Sequence, residues 1–261
     1  MAHKATITPL FIGRMSVNLG KWYELPDSHR YAGRGELPMH CYHVALPGRS
    51  VLVDAMAYDF PDDKAKYHVA GSNGLPLVEQ LREIGAPPES ITDVIITHYH
   101  FDHYNGLSAP NGGGFAPVFP NARHYLHLAD WDPEDFDELE ENTLGLVHEK
   151  GLLELVEGEK DLGDGLTLVH APGETPGHQM LHVTHNGGEA YFAGDLYHHP
   201  LEHEETKRDV YWADEEMMRA SKQSLLENAS ASGAVVHLTH FAQPQKITKG
   251  ENGYVWLAAK G

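Results

Sequence analysis

Three imidazoles and a carboxylate fall within six residues, His98-Tyr99-His100-Phe101-Asp102-His103, directly after the run Asp-Val-Ile-Ile-Thr at 93–97. Histidine is the commonest metal ligand near neutral pH, and carboxylates add the oxygen donors that divalent cations accept. His98 and His100 alternate, so on an extended backbone both rings leave on one face. Asp102 and His103 follow where the chain turns and approach from another direction. This arrangement suits two adjacent ions, a pair of donors for each, better than one. Histidine is abundant, 20 of 261 residues, so an isolated His-x-His carries little weight. The whole pattern behind an apolar strand carries far more.

Something rigid must deliver these groups. Residues 93–97 read as a short buried strand. Strands are also expected at 6–12, 39–45 and 50–54, the last two joined by the turn Leu46-Pro47-Gly48-Arg49. Apolar spacing at Leu75, Leu77, Val78, Leu81 and Ile84 predicts a helix over 75–84, stopped by Gly85. Further strands are expected at 123–127, 152–156, 166–170, 180–184, 190–193, 234–238 and 254–258. Helices are expected around 126–138 and 214–231, the second burying Met217, Met218, Ser221, Leu225 and Ala229. Strands come in hairpin pairs as well as before helices, which predicts an α/β fold of mixed sheets covered by helices, in one domain over 1–261. The stretches 20–38 and 108–120 are irregular, and their Trp22, Tyr23, Tyr31, Phe115 and Phe119 are candidates for an apolar pocket wall.

Composition narrows the partners. Nineteen basic residues against 38 acidic give a net charge of −19, a field that repels nucleic acid and anionic membrane surfaces. No apolar run approaches the ~18 residues of a bilayer span. The first residues lack a basic segment followed by an apolar core, so a cytoplasmic protein is expected. A single cysteine, Cys41, leaves no internal disulfide framework and reads as a small buried residue.

The motif resembles the signature of the metallo-β-lactamase superfamily, and other landmarks of that family recur in order. Asp54 ends the strand Ser-Val-Leu-Val-Asp. Pro172-Gly173-Glu174-Thr175-Pro176-Gly177-His178 is similar to the segment carrying the next ligand, Ala193-Gly194-Asp195 to the segment carrying a bridging Asp, and His240 falls where the last ligand is expected. The resemblance implies an αββα sandwich, two mixed β-sheets packed together with helices outside. It implies that His98, His100 and His178 bind one divalent ion, that Asp102, His103 and His240 bind another, and that Asp195 bridges them. Zn²⁺ suits these donors, and Mn, Fe or Co can also occupy such sites. Asp54 would orient a ligand imidazole.

On this reading the chemistry is hydrolysis by a metal-bridging hydroxide, with Asp102 in a secondary proton-accepting role. The nearest branch is the lactonase branch, which includes the N-acyl-homoserine lactone hydrolases. Its pattern places a Tyr three residues after the bridging Asp; here His198 holds that place and Tyr197 precedes it, so these two are the candidate donors to the substrate. A neutral lactone or ester is the expected substrate. Phosphotriesterase- or thioesterase-like hydrolysis on the same site is the alternative, followed by a mononuclear iron persulfide-type dioxygenase and by a binding protein with a decayed site. Family members are often homodimers. His40, His43, His182 and His185 read as surface or core residues, and His199 and His203, with Glu202, Glu204 and Glu205, as a solvated segment.

Overall fold

Alternation along the longest strands decides where the layers fall. The computed structural model describes residues 4–56, 69–70, 76–204 and 209–259. β1 (Thr6–Asn18) and β2 (Arg34–Leu46) pair antiparallel along nearly their whole length, and α1 (Leu19–Trp22) sits between them. In β2, Tyr42, Val44 and Leu46 enter one apolar cluster, while Met39 and Cys41 turn to the opposite one, the two-residue period of a strand buried on both faces.

β3 (Arg49–Val53) pairs with β2, β4 (Val69–Ala70) with β1, and β5 (Asp93–Ile95) runs parallel to β3. α2 (Leu77–Glu83) covers this sheet with Leu77 and Leu81. α3 (Phe101–Tyr104) follows β5. A separate hairpin, β6 (Ser108–Asn111) and β7 (Gly114–Pro117), occupies most of the stretch expected to be irregular. β8 (Arg123–His127) and β9 (Leu153–Val156) complete the first sheet in the order β4-β1-β2-β3-β5-β8-β9. Between them lie two short helices, α4 (Glu138–Glu140) and α5 (Leu146–Glu149), joined by a π-helical turn.

The second sheet runs in chain order: β10 (Lys160–Gly163), β11 (Leu166–His170), β12 (Gln179–His185), β13 (Gly188–Phe192), β14 (Val235–His237), β15 (Gln245–Gly250) and β16 (Gly253–Ala258). Among the described residues, only β13 and β14 are parallel in it. α6 (Leu201–Glu204) and α7 (Glu215–Ser232) fall between those two strands. Val44, Val51 and Ile95 of the first sheet meet Leu168, Leu181 and Phe192 of the second, and α7 packs Met218, Leu225 and Ala229 onto the outer side. The layers are therefore helix, sheet, sheet, helix, the αββα sandwich expected from the motif.

Three expectations need correction. No helix spans 126–138. Leu126 and His127 belong to β8, and the chain then makes 3-10 turns at Leu128–Asp130 and Pro133–Asp135. Asp132 accepts from the Glu134 amide and Asp137 from the Leu139 amide, so short side chains capture the donors a continuous helix needs, and Pro133 lacks one altogether. Met217 is 48 % exposed, whereas its neighbour Met218 is buried, which shifts the helix stripe by one residue. Strand β1 runs on to Asn18, beyond the expected end at residue 12. Leu75 of the expected second helix lies outside the described residues. No helix among the described residues is long and apolar enough to cross a membrane.

Candidate metal centre

Each sheet contains a parallel pair whose carboxyl ends point to the same region, β3 with β5 and β13 with β14. Side chains just beyond those ends converge, as ligand sites in open α/β sheets do at strand C-termini. Asp54 follows β3, the His98–His103 motif follows β5, Asp195 follows β13 and His240 follows β14. Backbone links hold the two ends together: His40 donates its amide to Thr239 O (3.1 Å), and the Tyr42 hydroxyl donates to Leu238 O (2.9 Å).

The seven residues expected as ligands are brought together. His98 Nε2 lies 2.9 Å from His100 Nδ1, and the His98 and His178 ring centroids are 5.1 Å apart. Around Asp195 Oδ2 stand His240 Nε2 at 3.1 Å, His103 Nε2 at 3.3 Å and His98 Nε2 at 3.9 Å. Asp102 lies 3.7 Å from His103 Nε2 and 3.8 Å from His240 Nε2. Asp195 thus stands between the two histidine sets.

The outward nitrogens are equally informative. His103 Nδ1 donates to Asp54 (2.9 Å), His178 Nδ1 to Ala171 O (3.0 Å) and His240 Nδ1 to Pro38 O (3.0 Å). Those bonds fix the ring orientation and turn each Nε2 towards the cluster, the orientation a ligating imidazole needs. Asp54, which has a left-handed backbone (φ 60°), also accepts from the Thr97 amide (2.9 Å) and hydroxyl (3.1 Å), so it aligns the motif and one of its rings. His103 Nε2 and Asp195 Oδ1 are buried and have no hydrogen-bond partner. Orphaned inward donor atoms of this kind fit divalent cations.

Electrostatics agrees. Burial pushes the pKa of His98 well below the histidine range, with the charge of His103 adding to it, and burial lowers that of His178 to about 4. Both rings are therefore neutral. At His103 burial is outweighed by Asp195, Asp54 and Asp102, which hold its pKa well above the usual range. That half of the cluster is set to receive positive charge.

Glycine is required at one point. Gly194 precedes Asp195 with φ 49°, and a Cβ there would stand 2.8 Å from His178 Nε2 and 2.9 Å from Thr97 Cβ.

The two candidate donors separate. His198 lines the cavity, with Nε2 3.3 Å from Glu174 and 3.4 Å from Asp195. Tyr197 turns the other way, into the layer beneath α7, where it packs edge-on to Trp256 and under the Lys222 ammonium. The aromatic wall also differs from expectation. Trp22 lines the cavity, but Tyr23 and Phe119 are core residues, Tyr31 hydrogen-bonds to Glu204, and Phe115 lies on the β6–β7 hairpin. The wall is completed by Trp212 and Tyr211, whose rings form an edge-to-face series with Trp22. Together these residues bound a cavity of about 1130 Å³.

Three carboxylates have roles that spacing did not reveal. Glu174, within the quoted 172–178 segment, is buried and accepts from Trp212 Nε1 (2.6 Å) and contacts His100 Nδ1 (3.2 Å). Glu202, expected to be solvated, is buried instead; it accepts from the His198 amide (2.9 Å) and the Tyr23 hydroxyl (2.6 Å) and pairs with Lys222. Asp130 joins the loop of His98–His103 to the loop before His178 by accepting from the Tyr99 amide (3.0 Å), the Thr175 hydroxyl (2.6 Å) and the Gly177 amide (2.6 Å). Asp130→Ala is expected to weaken metal affinity by about 10- to 100-fold, measured by competition with a chromophoric chelator. Unchanged affinity would show that the loops hold their own positions.

A family model for the metallo-beta-lactamase superfamily matches residues 34–236. An N-acyl homoserine lactonase from a Bacillus species is 28% identical over 158 residues, 56% of this chain and 58% of the relative. The chain thus spans little more than half the length of that curated relative. Among solved structures, the hydrolase AbOPH aligns with TM-score 0.78 at 17% identity, over 100% of this chain and 98% of the other. AidC, a dizinc quorum-quenching lactonase solved with a product, aligns with TM-score 0.75 at 16% identity over 100% and 96%. At these identities the structural likeness establishes the fold.

Proposed function

The chain belongs to the metallo-β-lactamase superfamily, and we propose that within it the protein is a dinuclear metal-dependent hydrolase opening a lactone or a related neutral ester. The observation that carries this reading is the convergence of five imidazoles and two carboxylates, among which the buried His103 Nε2 and Asp195 Oδ1 have no hydrogen-bond partner. His98, His100 and His178 would hold one ion, Asp102, His103 and His240 the other, and Asp195 both. Zn²⁺ is the first choice for such donors. When bound, such a pair supplies an ionised water near neutral pH and polarises an acyl oxygen.

The rest is the work of the protein's own side chains. Trp22 and Trp212 stand edge-on to His198, with ring centroids 5.8 and 5.9 Å from it, and give the acyl group an apolar wall. Glu174 and Glu202 bracket the His198 ring, with Glu202 Oε1 3.4 Å from Nδ1. So held, His198 Nε2 hydrogen-bonds the substrate and passes its proton to the alkoxide oxygen as the acyl C–O bond breaks. The water adds to the acyl carbon, and the products are a carboxylate and an alcohol, joined in one molecule when a lactone opens.

The test is acid release from a panel of neutral lactones, esters, thioesters and phosphotriesters by the zinc-loaded protein, with a chelated control. Metal-dependent lactone or ester hydrolysis is expected. Turnover confined to phosphotriesters or thioesters would move the protein to another branch, and oxygen consumption with one iron per chain would replace hydrolysis altogether.

A further inference from the structure

Away from the ligand cluster, the cavity is walled by the ends of β1 and β2 and by α1. Met15, Val17 and Trp22 give this wall apolar surface, and Lys21 and Arg34 give it charge. Both cations are exposed, and among the described residues neither forms an ion pair. Among the described residues Glu24 is the one acid of this wall, and it pairs with neither. In a chain with twice as many acids as bases, two exposed cations without ion-pair partners stand out on this wall, away from the carboxylates of the ligand cluster.

The strand register supplies a ruler. Pro38 accepts from ligand His240, and Arg34 lies four residues up the same strand, opposite Asn18. At ~3.3 Å per residue that is a separation of about 13 Å. A fully extended chain of about ten to twelve atoms spans it.

Resting on the hydrolase reading above, we propose that the substrate is neutral at its reacting lactone or ester but carries a carboxylate at the far end of its tail, held by Lys21 and Arg34. The alkyl portion crosses Met15, Val17 and Trp22, and the terminal anion meets the two cations at the rim. Charge at the rim favours anionic tails mainly through long-range attraction and is weakened by salt.

Sebacate and decanoate test this directly. They have the same chain length, and each brings one carboxylate to the metal centre, but only sebacate has a second at the far end. Calorimetry on the zinc-loaded protein is expected to show sebacate binding about fivefold tighter, with the advantage shrinking as ionic strength rises. Combined Lys21→Gln and Arg34→Gln substitution is expected to bring the two affinities together, and Lys21→Arg with Arg34→Lys to keep them apart. Equal affinity for the wild type, or a preference that survives the double Gln substitution, would overturn the proposal. Because binding is read without turnover, a sebacate preference in a protein inert towards the whole substrate panel would remove the hydrolase reading and leave the cationic tail site standing. Active lactone opening with equal affinities would do the reverse.

Discussion

Asp195→Asn is expected to lower kcat/KM by about 10³-fold and to reduce bound metal from two ions per chain towards one. The reason lies in what surrounds this side chain. Oδ2 is within 3.1–3.9 Å of the Nε2 atoms of His240, His103 and His98, and Oδ1 has no partner. Burial alone would raise its pKa, but the charges of His240, His103 and His198 hold it well below the usual carboxylate range. Asparagine keeps the shape, removes the negative charge, and turns an NH₂ donor towards atoms that should be accepting a cation. Elemental analysis beside steady-state kinetics checks both effects. Full metal content with near-normal turnover would remove Asp195 from the bridging position.

His198→Phe is expected to reduce kcat by about 10²- to 10³-fold, whereas Tyr197→Phe should remain within about twofold, the range of a modest packing change. His198 faces the cavity between Glu174 and Glu202, with Trp22 and Trp212 edge-on to it. Tyr197 leaves the same turn in the opposite direction, beneath α7. Phenylalanine at 198 preserves the aromatic contacts and removes both nitrogens, so the loss should fall on kcat more than on KM. Separate kinetics of the two variants decide the assignment. A large loss in Tyr197→Phe with none in His198→Phe would reverse it.

The clustered side chains were legible because the motif couples local spacing to a buried strand, and Asp195 and His240 follow apolar runs that end at the same edge of their sheet. The strands of both sheet interiors were legible for the same reason. Polar strands were not: β10, Lys-Asp-Leu-Gly, and β15, Gln-Lys-Ile-Thr-Lys-Gly, offer too little apolar surface to stand out, and β10 lies at a sheet edge. Glu174, Glu202 and Asp130 were beyond local reading because their partners lie far along the chain. Glu202 meets Tyr23 across 179 residues and Asp130 meets Gly177 across 47. Only the folded chain reveals that a carboxylate in an acidic stretch is buried against a lysine. Of the expected aromatic wall only Trp22 lines the cavity, for a related reason: aromatic residues between strands serve equally as core, as Tyr23 does, or as cavity lining, as Trp22 does.

The most direct measurement is a zinc titration of metal-stripped protein, following lactone opening by acid release at each addition. The paired ligand sets around Asp195 predict that turnover is absent in the stripped protein and rises to a plateau at two ions per chain. A plateau at one ion, or hydrolysis that persists in the stripped protein, would contradict the dinuclear account.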